Sequence, residues 1–210
     1  MDITYIVVVI AVILISMTLH EAMHAFVSYW LGDDTAKLQG RLTLNPIKHI
    51  DPFLTLLLPV MLALVGAPIF GGAKPVPFNP DRVRHGDWGA ALVAIAGPLT
   101  NLLIAFIGFG LFVIFGVSQD DLLGYILQIV VGVNLGFFVF NMIPIPPLDG
   151  SRVIYALAPE FVRRGMEAIE QFGVFFIFIV VLLASSALGV YMAAVIDLIL
   201  AVFGRVFSVV

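Results

Sequence analysis

The sequence predicts an all-α polytopic membrane protein of about five to six membrane helices, and three observations carry that prediction. Of its 210 residues, 61% are hydrophobic and only 11% charged, whereas a soluble domain needs roughly a quarter of its residues charged to wet its surface. The mean hydropathy is +1.13. Apolar segments fall at about residues 3 to 31, 52 to 70, 90 to 116, 122 to 141 and 171 to 204, each near or above the roughly 20 residues that cross a bilayer.

Taken in order, the first segment reads as a retained span, because Met1-Asp2 offers no positive n-region for a cleavable signal. The basic stretches 32 to 51, 71 to 89 and 142 to 170 belong in the cytosol by the positive-inside rule, together with the Arg205 tail. The acidic loop Ser118-Gln119-Asp120-Asp121 then lies outside. This arrangement needs a return within residues 52 to 80, so the second segment is expected as a helix followed by an extended or re-entrant stretch near residues 71 to 80. Lys74-Pro75-Val76-Pro77-Phe78-Asn79-Pro80 suits that stretch, since its prolines forbid a helix. Irregular backbone at membrane depth is tolerated where it is buried in protein or lines a wet cavity, so this stretch is expected to face the active site, the plain alternative being a surface loop.

The last segment is long enough for two spans, or for one tilted helix broken around Ser185-Ser186 and Gly189. Gly132 and Gly136 form a GxxxG pair of the kind that permits close helix packing. Asp197 lies deep in the last segment, where a carboxylate needs a polar neighbour or a water path. No internal repeat or appended soluble domain is visible. Residues 1 to 210 read as one integral membrane domain, with a catalytic core over about residues 1 to 153 and C-terminal helices over about 171 to 204.

The absence of cysteine excludes a disulfide framework and a thiolate metal site, so any metal must sit on His, Asp or Glu. A net charge of −4 without a basic run gives no basis for a nucleic-acid partner. Near the end of the first apolar helix stands His20-Glu21-Ala22-Met23-His24, an HExxH sequence. Histidines at i and i+4 share one helix face, so both imidazoles reach a single metal ion, and Glu21 sits beside them to move a proton. With four His and four Glu in the chain, random placement yields this pattern in about one shuffled chain per thousand. The plain alternative, a pair of satisfied core histidines, is disfavoured because ionisable groups in a spanning segment are costly.

Catalytic zinc takes three protein ligands and keeps one position open, so a third ligand is needed. His49 and His85 lie in polar stretches where a solvated ring is the ordinary reading. Asp149 is better placed: the prolines of Asn141-Met142-Ile143-Pro144-Ile145-Pro146-Pro147-Leu148 end a helix, and Gly150 frees the backbone to turn at the membrane edge. Asn101 and Asn141 are amides near membrane depth that need partners, and each is a candidate to hold substrate or to donate to an oxyanion. The plain alternative for both is interhelical glue.

HEAMH in a first apolar helix, followed after a long membrane stretch by NMIPIPPLDG, resembles the site-2 protease family of intramembrane zinc metalloproteases. The similarity extends to Gly40-Arg41-Leu42-Thr43-Leu44-Asn45-Pro46, to Ala73-Lys74-Pro75-Val76-Pro77 and to Ala96-Gly97-Pro98-Leu99-Thr100-Asn101, covering about residues 16 to 153. The resemblance implies His20, His24 and Asp149 as ligands to one zinc ion (Zn2+) per chain, Glu21 as the catalytic acid/base, and a core of three helices around the metal. It implies hydrolysis of peptide bonds in or near transmembrane segments of membrane protein substrates, while a compact chain without a targeting peptide suits a prokaryotic plasma (cell) membrane and the positive-inside rule turns the active site toward the cytosol. The partners implied are those substrates and the lipid bilayer, with self-association also allowed. The chain departs from the family pattern at Gly71-Gly72, where a glycine followed by an aromatic is expected, and it lacks the PDZ or nucleotide-sensing modules of some relatives. Two rival functions remain: a membrane metal transporter using His20, His24 and Asp149 as a transit site, and a non-catalytic relative that binds membrane proteins without cutting them. The intact Glu21 argues against both.

Overall fold

A computed structural model describes residues 3–57 and 72–209, and among them every regular element is helical. Helix α1 spans Ile3–Trp30, α2 is the short turn Thr35–Leu38, α3 spans Gly86–Ile114 and α4 Leu122–Asn141. Two short helices, α5 over Asp149–Leu157 and α6 over Glu160–Glu170, lead into the long α7 over Gly173–Val206. Four of these, α1, α3, α4 and α7, are long and apolar enough to cross a bilayer. Side chains such as Ile10, Leu103 and Leu183 are exposed along them. That would be an aggregation liability in water, and it is the required surface in lipid.

The second apolar segment begins as the π-helical turn Pro52–Leu57. The rest of the expected helix, residues 58–71, lies outside the described residues, including Gly71 of the departing glycine pair. Residues 72–79 form no helix or strand, as their prolines dictate. This stretch is pinned at several points. The N–H of Lys74 donates to the His49 carbonyl at 2.9 Å, Arg41 Nη2 donates to the Lys74 carbonyl, and the N–H of Asn79 donates to Asp33 Oδ2 at 2.7 Å.

Helix α3 is central and packs against α1, α4 and α5. Its contact with α4 is close because Gly108 offers no side chain; a Cβ there would stand 3.3 Å from Val130 and Val131. The GxxxG expectation is corrected here: among the described residues a Cβ at Gly132 or Gly136 would meet nothing within 4 Å, so neither glycine marks a close contact with a described helix.

Helix α7 is kinked, two helical segments meeting where the backbone leaves helical angles at Ala184 (φ −117°, ψ 19°), directly before Ser185-Ser186. The segment counts as one candidate span, with its break beside Ser185-Ser186, as the broken-helix alternative has it. Its Ile196, Ile199, Leu200 and Phe203 pack on Ala105, Val131 and Leu135. Beyond them the Phe207 ring lies 5.2 Å from Phe106 and 5.9 Å from Phe109, toward the far end of α3. One crossing thus carries Arg205 to the end of the bundle opposite the other basic stretches, contrary to the charge-rule expectation that grouped them. Asp197 is exposed beside this packing face.

At the other end, α5 and α6 close over the bundle through polar contacts. Arg163 Nη1 pairs with Asp87 Oδ2, in the first turn of α3, at 2.6 Å. Tyr155 Oη donates to Glu167 Oε1 at 2.6 Å, and Arg152 pairs with Glu170.

Candidate metal centre

His20 and His24 sit one turn apart on α1 and are both buried. Their rings meet edge to face, with centroids 4.7 Å apart and Nε2 atoms 3.0 Å apart. Asp149 reaches them from the first turn of α5, its Oδ2 lying 3.2 Å from His20 Nε2 and 3.5 Å from His24 Nε2. The approach depends on Gly150, because a Cβ there would stand 2.4 Å from the Met142 carbonyl oxygen. The α4 terminus and the α5 start can therefore come together only with glycine at this turn.

The remaining ring nitrogens decide what the cluster can hold. His24 Nδ1 is 2.7 Å from the Val93 carbonyl, which can only accept, so this nitrogen carries the hydrogen and Nε2 carries the lone pair. His20 Nδ1 is 2.6 Å from Asn101 Oδ1, giving the same tautomer. Two imidazole lone pairs and a carboxylate oxygen, all within 4.8 Å of one another, form a set of convergent acceptors. A donor set of two imidazoles and one carboxylate suits zinc.

Space for the ion is kept by Gly97 of α3, where a Cβ would lie 2.5 Å from His24 Nε2 and 2.6 Å from His20 Nε2. Any other residue would fill the cavity. Pro98 follows it within the helix, and a helix interior tolerates proline here because α3 is buried against its neighbours.

Glu21 lies on α1 between the two histidines and is half-buried. Its Oε2 accepts from the Val76 N–H at 2.9 Å, so the extended stretch does face the site. Arg41 holds that stretch from behind through the Lys74 carbonyl. Burial lowers the Arg41 guanidinium, and the Glu21 charge opposes that shift.

Comparison with known proteins follows the same pattern. The family model described as "Peptidase family M50" matches residues 116–185, the stretch that holds Asn134, Asn141 and Asp149. The chain is 42% identical over 205 residues to a protein of Bacillus subtilis (strain 168) named "Putative zinc metalloprotease YwhC", covering 93% of this chain and 90% of that one. The chain belongs to peptidase family M50. Proteins named "Putative zinc metalloprotease Rip2" are 34% identical over 87% of this chain and 69% of their own length in Mycolicibacterium smegmatis. The Mycobacterium tuberculosis (strain H37Rv) protein of that name is 32% identical over 84% of this chain and 67% of its own. No solved structure matches the chain. The M50 assignment bears out the site-2 protease resemblance and makes the chain an intramembrane zinc metalloprotease.

Within this M50 chain, the residues singled out from sequence divide by position. His20, Glu21, His24 and Asp149 come together, while His49 lies apart with its Nε2 2.9 Å from the Thr43 carbonyl. Asn101 is fully buried, with Oδ1 toward His20 and Nδ2 donating to Asn134 Oδ1 at 2.8 Å. Asn141 is half-buried and donates from Nδ2 to the carbonyl of Phe137 one turn back in its own helix. Sequence reasoning does not single out Asn134, Gly97 or Val76. Asn134 alone carries a signal, as an amide in the middle of an apolar span, where a polar group needs a partner.

Proposed function

We propose that this chain is a site-2-type zinc endopeptidase that hydrolyses peptide bonds in or near the transmembrane segments of other membrane proteins. The observation that carries this reading is the convergence of the His20, His24 and Asp149 acceptors beside Glu21 at one end of an apolar helix bundle. His20, His24 and Asp149 are the ligands, and Glu21 is the acid/base. Bound there, zinc supplies Lewis acidity that polarises a carbonyl and acidifies water.

The chain's own residues do the rest. The carboxylate of Glu21 accepts the proton of the attacking water and returns it to the amine that leaves. Val76 and Arg41 fix its surroundings. Asn101 serves His20 in this scheme, since its oxygen is spent on the ring. The polar stretches that gather at this end of the bundle support water access to the site, and their Lys and Arg content supports an orientation toward the cytosol.

A metal transporter reading gains no support from the relatives, which are named as metalloproteases. The test is Glu21→Gln in protein reconstituted with a model single-span substrate. Proteolysis is expected to fall about 10²- to 10⁴-fold with zinc retained. Undiminished cleavage in that variant would overturn the assignment of Glu21.

A further inference from the structure

From the proposed ligand His20, a chain of hydrogen bonds runs away from the metal centre into the bundle. Asn101 Oδ1 is 2.6 Å from His20 Nδ1, and Asn101 Nδ2 donates to Asn134 Oδ1 at 2.8 Å. Asn134 Nδ2 in turn donates to Ser16 Oγ at 2.9 Å and to the Val130 carbonyl at 2.8 Å. Asn101 and Asn134 are wholly buried and Ser16 nearly so. Three helices, α1, α3 and α4, each contribute a member.

The direction of this chain is forced from its far end. A backbone carbonyl cannot donate, so the group of Asn134 facing Val130 is its NH2, and its oxygen must face Asn101. Asn101 must then present its NH2 to Asn134 and its oxygen to His20. That oxygen accepts from Nδ1–H, which leaves the lone pair of His20 on Nε2, the atom turned toward Asp149. Flipping either amide would set two oxygens or two NH2 groups against each other where both side chains are wholly buried.

We infer that Asn134 is a positioning residue for the metal: it locks the Asn101 amide so that His20 is held in the tautomer able to bind zinc. Its contribution is orientation and not packing alone. This inference rests on the zinc reading above. A carboxylate at position 101 would accept from His20 Nδ1–H with either oxygen and would need no orienting partner.

The test compares zinc affinities of the full chain in detergent, by competition with a chromophoric chelator. Wild type and His20→Ala calibrate the zinc reading itself; if wild type binds no zinc, that reading and this inference fall together. With wild-type binding established, Asn134→Leu is expected to weaken zinc about 10- to 100-fold. The same substitution made on Asn101→Asp is expected to cost about threefold or less, because the orienting role has been made redundant. An equal penalty in both backgrounds, or none in either, would overturn the inference while leaving the zinc reading intact. Should Asn134→Leu fail to fold, nitrogen-15 NMR of metal-free wild type decides the same point. Hydrogen on Nδ1 of His20 is expected, and an Nδ1 without hydrogen would contradict it.

Discussion

The backbone N–H of Val76 donates to the Glu21 carboxylate at 2.9 Å, joining residues 55 positions apart in sequence. Because Pro75 and Pro77 have no N–H, Val76 supplies the one backbone donor of the Pro75–Pro77 turn, and Glu21 takes it. Val76→Pro removes the donor. A hydrogen bond to a charged group contributes about 1.5–3 kcal/mol, so kcat is expected to fall about 10- to 100-fold with zinc content unchanged. Steady-state kinetics beside metal analysis would show it. Unchanged kcat would mean that Val76 does not position Glu21.

Gly97 is the second point of control. A methyl group there would stand 2.5 Å from His24 Nε2 and 2.6 Å from His20 Nε2, inside any van der Waals distance. Gly97→Ala should therefore abolish zinc binding while the helical content persists, by circular dichroism. Gly108→Ala meets only the Val130 and Val131 side chains at 3.3 Å and is expected to keep zinc. Equal zinc in both variants would contradict the cavity assigned to Gly97.

Asp33 anchors the stretch that carries Val76. It accepts from the Thr35 N–H at 3.0 Å, the Thr35 hydroxyl at 2.5 Å and the Asn79 N–H at 2.7 Å. Burial pushes its carboxyl up, but these bonds and the Arg82 charge together hold it below the ordinary carboxylate range. A folded-state value below the unfolded one, about 3.9, gives stability that is full above that pH and fades as pH falls toward the folded value. The melting temperature is expected to hold from pH 7 to about 5 and then drop, with Asp33 contributing to the drop. Asp33→Asn should cost on the order of 2 kcal/mol at pH 7 and flatten the acid limb. An acid limb of the same depth in Asp33→Asn would rule Asp33 out as a contributor.

How much of this is legible in the sequence follows from the kind of signal each feature leaves. His20, Glu21 and His24 are readable because helical periodicity turns spacing into geometry within one turn. Asp149 is readable because prolines and a glycine force a turn around it. Asn101 is legible, but its role is not: whether an amide faces a reacting carbonyl or a histidine depends on rings supplied by another helix. Val76 lies in the stretch expected to face the site and Gly97 in a motif of the resemblance, but the role of each is not legible, since it depends on what approaches from far along the chain. Arg205 is misplaced by a charge rule that counts residues, while Phe207 packing on Phe106 shows which end of the bundle the tail reaches. Gly132 and Gly136 mislead for a related reason, as small residues permit close packing without imposing it.

The central claim is that two motifs about 125 residues apart in sequence, HExxH and the Leu148-Asp149-Gly150 turn, form one zinc site. Elemental analysis of detergent-purified wild type beside His20→Ala and Asp149→Ala tests it most directly. The account predicts about one zinc per chain in wild type, lost or strongly weakened in both variants. Zinc fully retained in Asp149→Ala would contradict it, since the third ligand would then have to be another residue.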